Sequence, residues 1–348
     1  MVLITGIHEF GHLISAKLFN VYCGEFSIGF GPKLFSFKPK ETKYTVRLLP
    51  LGGYVSMAGD NDDGIEEKVD TTNIPFERTL PGIAKWKRAI VMYAGIFMNF
   101  VLAIVIMGLV INHEGTYGIS CKPYIVSLLD NYPGQKAGLK ENDLIEKVQF
   151  DNGSSISPNN YNELTIFLST YDGVGDWSIT VNRDNQEMVF NVSPDYIIEE
   201  ERYVLGATFE SNKYVDTNIF NCFYYACDYL ISITKLLFIT IINLFRGIGL
   251  ENLSGPIGIY NTISETNELG LSYYFELVSL LSINVGIVNA LPLPIFDGGR
   301  AFLLLIEAII RKPLNKKFEN IIMYASLIVL ILLMVFTTFK DLNINIWG

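Results

Sequence analysis

Residues 90–111 read Ile-Val-Met-Tyr-Ala-Gly-Ile-Phe-Met-Asn-Phe-Val-Leu-Ala-Ile-Val-Ile-Met-Gly-Leu-Val-Ile, 22 residues without a charge. Roughly 20 apolar residues cross a bilayer core as a helix, so this run is long enough to span. Working outward, Leu277–Ile295 and Ile321–Phe339 are further charge-free runs of 19. Half of the 348 residues are hydrophobic. That average conceals a split between long apolar runs and one polar block, so an integral membrane protein with an inserted soluble domain is expected. The formal charge of −10 falls largely in loops and in that block. It says little about partners beyond the lipid bilayer, and no nucleic acid is expected.

The start of the chain is apolar too, and it carries Gly6-Ile-His8-Glu9-Phe-Gly-His12-Leu-Ile14, an H-E-x-x-H string. Residues four apart share a helix face, so His8 and His12 can aim imidazole nitrogens at one zinc ion. Glu9 emerges beside them, able to reach a metal-bound water rather than the metal. The rival reading is a packed or solvated histidine pair. Two features favour zinc chemistry. Only three histidines occur in the chain, the third being His113, and ionisable groups inside a membrane helix are a functional hypothesis by default. A third ligand should come from far away, because Glu25 and Glu41 lie among strand- and turn-like residues. The first span, about 1–19, would serve as its own insertion signal. A cleavable signal peptide would not carry His-Glu-His through its apolar region.

Strands are expected over about 25–57: Glu25–Phe37 and Tyr44–Met57 combine alternation with glycines. Apolar strands beside a membrane helix need paired backbone groups. Either a sheet dipping toward the active site, with an edge for an extended peptide, or a hairpin resting on the headgroups meets that need. Asp60–Lys68 reads as an acidic loop. Lys33, Lys38, Lys40, Lys43, Arg47 and the Lys85–Arg88 cluster make the segment between the first two spans basic, hence cytoplasmic. The first half of the membrane core is then 1–112, with its second span at 90–111.

Residues 115–212 have the composition of a small soluble domain. Tyr132–Val148 suggests a turn and short helix leading through Asn142-Asp143 into a strand. Tyr161–Ser169 suggests a helix, and Trp177–Asn182 with Glu187–Val192 a closing hairpin. The P-x-x-x-A-G-L-x-x-x-D-x-I pattern from Pro133 to Ile145 resembles a PDZ domain, with Asn142 where glycine is usual. Such a domain implies either peptide binding at a sheet edge or a steric gate. Cys23, Cys121, Cys222 and Cys227 form no C-x-x-C and are read as unbridged.

The second half of the core is 213–348. Phe220–Phe245 is apolar but contains Asp228 and Lys235. If it spanned, Arg300, Arg311, Lys312, Lys316 and Lys317 would fall outside, against the positive-inside trend. It is therefore read as a non-spanning amphipathic helix. Leu253–Ile259 is a turn-rich re-entry, followed by spans at about 277–295 and 321–339. The first of these ends in Asn289-Ala-Leu-Pro-Leu-Pro-Ile-Phe-Asp297-Gly-Gly-Arg300. Asp297 is either the distant zinc ligand or the N-cap of the next helix. Asn289 offers an amide for a substrate backbone or for helix packing.

H-E-x-x-H in the first span with N-x-x-P-x-P-x-x-D-G in a late one resembles the site-2 protease family of intramembrane zinc metalloproteases. The PDZ-like insert, F-S-I-G-F-G-P, G-G-Y-V and S-G-P-I-G-I resemble its bacterial branch that cleaves anti-sigma factors. The resemblance implies one zinc per chain on His8, His12 and Asp297, with Glu9 as general base and acid. It implies substrate contacts from Asn289, Gly52, Gly53 and Tyr54, the last three in a membrane-entering β element, Thr45–Met57. The fold implied is an α-helical polytopic membrane protein of four transmembrane helices, with a membrane-associated β sheet and one α+β PDZ-like insert. The substrate implied is a single-pass membrane protein already cut by another protease. The implied location is a bacterial inner or plasma membrane, insert outside and active site toward the cytoplasm. Relatives usually carry more apolar residues before H-E-x-x-H, pointing to a late start codon or a fragment. Phe296 replaces the commoner leucine, and one PDZ-like domain fits where some relatives have two. A membrane adaptor with a vestigial site and an ion transporter are the rivals. The complete set of zinc groups argues against the first, and the scarcity of other intramembrane polar groups against the second.

Overall fold

The computed structural model describes residues 1–60, 69–119, 121–169, 171, 173–197, 202–210, 213–245, 255, 258–259, 262–263, 270–312 and 314–342. The acidic stretch expected over Asp60–Lys68 lies outside these except for Asp60, as does most of Leu253–Ile259. The chain forms two compact units, Met1–Val110 with Ala226–Thr234 and Ser254–Gly348, and Ile111–Tyr225 with Lys235–Leu253.

In the first unit, helix α1 is Val2–Leu18. It stops where Asn20 takes a left-handed φ of 60°, a conformation asparagine tolerates better than most residues. Strands β1, Cys23–Phe37, and β2, Lys43–Met57, follow and pair antiparallel. The pairing is not a plain hairpin. Residues 25–28 meet 53–56 on one side and 43–46 on the other, while 43–46 also meets 35–37. Two strands thus curl into a sheet of four rows. Gly29 (φ 87°) and Gly52 (φ 88°) sit at the bends, where a side chain would be strained.

A buried polar network pins this curl. Arg47 donates from Nε to Ser27 Oγ (3.0 Å), from Nη1 to the Gly31 carbonyl (2.9 Å) and from Nη2 to Tyr54 Oη (2.7 Å). Glu25 receives Arg47 Nη2 at 3.4 Å and the Tyr54 hydroxyl at 3.2 Å. Leu13, Ala16, Val21, Phe26, Val55 and Val91 pack beneath in an apolar core.

Helix α2, Lys85–Glu114, contains the deciding apolar run and extends it at both ends. The other helices of this unit are α6, Leu271–Ala290; α7, Asp297–Ile310; and α8, Lys316–Asp341, while α5, Cys222–Phe245, contributes only Ala226–Thr234 to it. Buried Ser279 and Ser282 on α6 donate to the carbonyls of Ala103 (3.0 Å) and Asn99 (2.9 Å) on α2, the polar stitching that holds helices where hydrophobicity cannot. α6 begins six residues before the expected span, because one internal charge, Glu276, does not break a helix. It ends at Ala290, since Pro292 and Pro294 lack the N–H that would continue it.

Among the described residues, four helices are long and apolar enough to cross a membrane: Lys85–Glu114, Cys222–Ile242, Leu271–Ala290 and Glu319–Asp341. The four differ from those expected. α1 has 17 residues, about 26 Å of helix against a core of roughly 30 Å, and α5 meets the length and composition that α1 does not.

In the second unit, β3 (Thr116–Ile119) pairs with the late strand Lys213–Asp216, so the unit extends past residue 212. Between them lie β4 (Ile125–Leu128), paired with Ala207–Phe209, and the short helix α3 (Pro133–Lys136). β5 (Leu144–Phe150), β6 (Ser155–Ile156), β7 (Trp177–Arg183) and β8 (Gln186–Val192) form an antiparallel sheet in the order β6-β5-β7-β8. Helix α4, Tyr161–Leu168, starts under Asn160, whose side chain accepts from the Glu163 N–H. Asp184 and Asn185 turn the β7–β8 hairpin with positive φ values of 53° and 63°, the conformation of a two-residue I′ turn. Asn142, with φ 68°, takes the left-handed position that glycine usually fills. The core gathers Ile125, Val148, Phe150, Leu164, Trp177 and Ile179. Buried Asp143 clamps Arg183 through bonds of 2.6 and 2.7 Å. Those hydrogen bonds hold the guanidinium above its ordinary pKa.

Candidate active site

α1 stacks His8 and His12 one turn apart, both buried. Asp297 is the first residue of α7; the N-cap is Phe296, and no side chain caps this end. Instead, Asp297 Oδ2 lies 2.9 Å from His8 Nε2 and 3.1 Å from His12 Nε2, and the two Nε2 atoms are 3.2 Å apart. Three groups separated by up to 289 positions therefore converge on one point.

Two imidazoles and a carboxylate are a donor set suited to zinc. The edges of a tetrahedron with bonds of about 2.0–2.1 Å measure roughly 3.3 Å, close to the separations found. The chemistry behind the rings also fits. His12 Nδ1 faces the Val91 carbonyl at 2.8 Å. A carbonyl only accepts, so Nδ1 carries the proton and the Nε2 lone pair points at the shared centre.

Close approach of three helices makes this convergence possible. A Cβ on Gly95 of α2 would stand 2.5 Å from His12 Nε2 and 2.7 Å from His8 Cε1. On Gly11 it would strike the backbone of Ala94. On Gly298 and Gly299 it would strike the backbones of Ala290 and Leu293, so the two glycines after Asp297 let α7 start tight against the end of α6.

A cavity of about 320 Å³ opens beside the cluster. Glu9 lines it with His8, His12 and Asp297, and so do Gly53, Tyr54, Val55 and Met57 of β2. Gly53 lets the strand approach: its absent Cβ would be 3.4 Å from Glu9 Cγ and 2.6 Å from the Ser27 carbonyl. Tyr54 lines the wall with its hydroxyl already bound to Arg47 and Glu25. Gly52 sits against the Phe30 ring, at the bend, and outside the cavity wall. Asn289 lies in the last turn of α6, half-buried and likewise outside the wall.

Sequence reasoning overlooked α2 as part of the site. It supplies Val91, Gly95 and Asn99, whose Nδ2 is 3.3 Å from His8 Nδ1. A signal was available: Asn99 is the one side-chain amide in the 22-residue run, and polar groups at membrane depth are usually functional.

The family model of peptidase family M50 matches residues 1–333. The chain belongs to peptidase family M50. It is 30% identical to the regulator of sigma-W protease RasP of Bacillus subtilis (strain 168), over 97% of this chain and 94% of that protein. Similarity to the zinc metalloprotease RasP of Bacillus licheniformis is 29%, over 97% and 95%. The same figures hold for the zinc metalloprotease RasP of Shouchella clausii. This M50 protein is a zinc metalloprotease of the site-2 type, and its long apolar helices embed it in a membrane.

Proposed function

We propose that this M50 protease cleaves the transmembrane segment of single-pass membrane proteins, such as anti-sigma factors or signal-peptide remnants, after a first cut outside. In this reading His8, His12 and Asp297 hold one zinc per chain. The observation carrying it is the convergence of their three donor atoms beside a cavity that Glu9 also lines. Zinc held there supplies Lewis acidity for peptide hydrolysis at neutral pH. Glu9 takes the proton of the attacking water and returns it to the leaving amine. A substrate helix hides its carbonyls in its own hydrogen bonds, so it must unwind first. Residues 53–56, paired to 25–28 and lining the cavity through Gly53, Tyr54 and Val55, offer a strand beside which the unwound segment can lie. Asn289 contributes an amide for the substrate backbone near the end of α6.

The active site faces the cytoplasm of a bacterium, because the basic residues of the β element and of Arg311–Lys317 then lie inside. The PDZ-like unit lies outside. α5 does not span, a reading supported by its second half. Lys235 Nζ is 2.8 Å from the buried carboxylate of Glu163, and Ile239 packs on the core of the PDZ-like unit. The unit acts as a size filter against intact outer domains. Deleting residues 115–212 should let uncut substrates be cleaved, and unchanged resistance would remove the filter.

The deciding experiment gives detergent-solubilised wild type and Glu9→Gln one equivalent of zinc and a tagged single-span substrate. The variant should keep its zinc and lose cleavage by about 100-fold or more. Cleavage at the wild-type rate would overturn the role of Glu9.

A further inference from the structure

Asn99 is fully buried on α2, one turn beyond Gly95. Its Nδ2 is 3.3 Å from His8 Nδ1, while its Oδ1 is buried with no hydrogen-bond partner among the described residues. An unpartnered buried carbonyl is costly and calls for an explanation. The two histidines differ in this respect. His12 is backed by a carbonyl that can only accept, whereas His8 is backed by an amide that can present either atom.

With Nδ2 toward the ring, His8 Nδ1 must accept, so Nε2 carries the proton and donates to Asp297. That arrangement blocks Nε2 as a ligand. With the near-isosteric oxygen toward the ring, Nδ1–H donates to Oδ1, and the Nε2 lone pair becomes available. We propose that Asn99 is the positioning residue of His8: its amide oxygen receives Nδ1–H in the zinc-loaded enzyme, setting the ring's tautomer and aim. The inference rests on the ligand assignment proposed above.

The test measures zinc affinity of the full-length protein in detergent, by competition with a chromophoric chelator, for wild type, Asn99→Leu, Asn99→Asp and Asp297→Ala. Asp297→Ala should lose the zinc. If it binds as wild type does, the ligand assignment fails, and the role of Asn99 with it. With that reference in place, Asn99→Leu should weaken zinc 10- to 100-fold. Asn99→Asp, which accepts only, should equal or exceed wild type. A packing role predicts the reverse order, because leucine fills the volume and a carboxylate buries a charge. Leucine binding as wild type, or aspartate falling as far as leucine, overturns the proposal. Should Asn99→Leu not fold, the aspartate variant alone decides by retaining or losing affinity.

Discussion

Asp143 and Asp297 are both carboxylates with little exposure that face basic side chains, yet they are set up for opposite ends. Asp143, wholly buried, takes both prongs of Arg183 and the Lys140 N–H. Its partners are permanent, lie in its own unit, and use both oxygens. Asp297 draws two imidazoles onto a single oxygen. A carboxylate saturated by a fixed cation closes a turn. One that gathers two imidazole nitrogens at a single point, beside a cavity, has the donor set that could hold a metal ion.

The largest test of this contrast is Asp297→Ala. Bound zinc and cleavage should both disappear, while thermal unfolding of the second unit stays put; retained zinc, by metal analysis, would dissolve the contrast. Asp143→Ala should do the opposite. It leaves Arg183 without its buried partner and should lower the stability of that unit by about 3 kcal/mol, with zinc content unchanged. Denaturant unfolding checks this, and a loss of zinc would show that the two carboxylates are not independent. Gly95→Ala sharpens the point on the membrane side. Alanine favours helix over glycine by roughly 1 kcal/mol, so a simple helix position would gain. Here the methyl group meets both imidazoles, and zinc affinity should fall on the order of tenfold. The smallest effect is expected for Lys235→Met. The lysine is partly exposed, so calorimetry should register a loss under about 1 kcal/mol; a larger loss would mean that α5 is integral to the second unit.

Much of the second unit's secondary structure was legible because its signals are local. Asn142 and the Asp184–Asn185 pair each declare a left-handed turn within a few residues, and Trp177–Asn182 alternates as a strand must. The β element was legible as strands but not as a curled sheet of four rows. That curl depends on Gly29 and Gly52 bending together and on Arg47 reaching Ser27, Gly31, Tyr54 and Glu25 at once. In the site, the His8–Glu9–His12 spacing was readable, since a helix turns a four-residue interval into one face. The supporting roles of Val91, Gly95 and Asn99 were not, because nothing in an apolar run says which turn of it will lie behind an imidazole.

The amino-acid sequence by itself determined that this protein lives in a membrane, sets a polar block between long apolar runs and carries the H-E-x-x-H string of a zinc protease. Hydrophobic run length and helical periodicity are properties of neighbouring residues. Only the tertiary structure decided that Asp297 meets the histidines, that α2 backs both rings, and that β2 walls the cavity. Those contacts join residues that are not neighbours in the chain, by as many as 289 positions for His8 and Asp297, and what selects them is the close packing of small residues at Gly11, Gly95, Gly298 and Gly299.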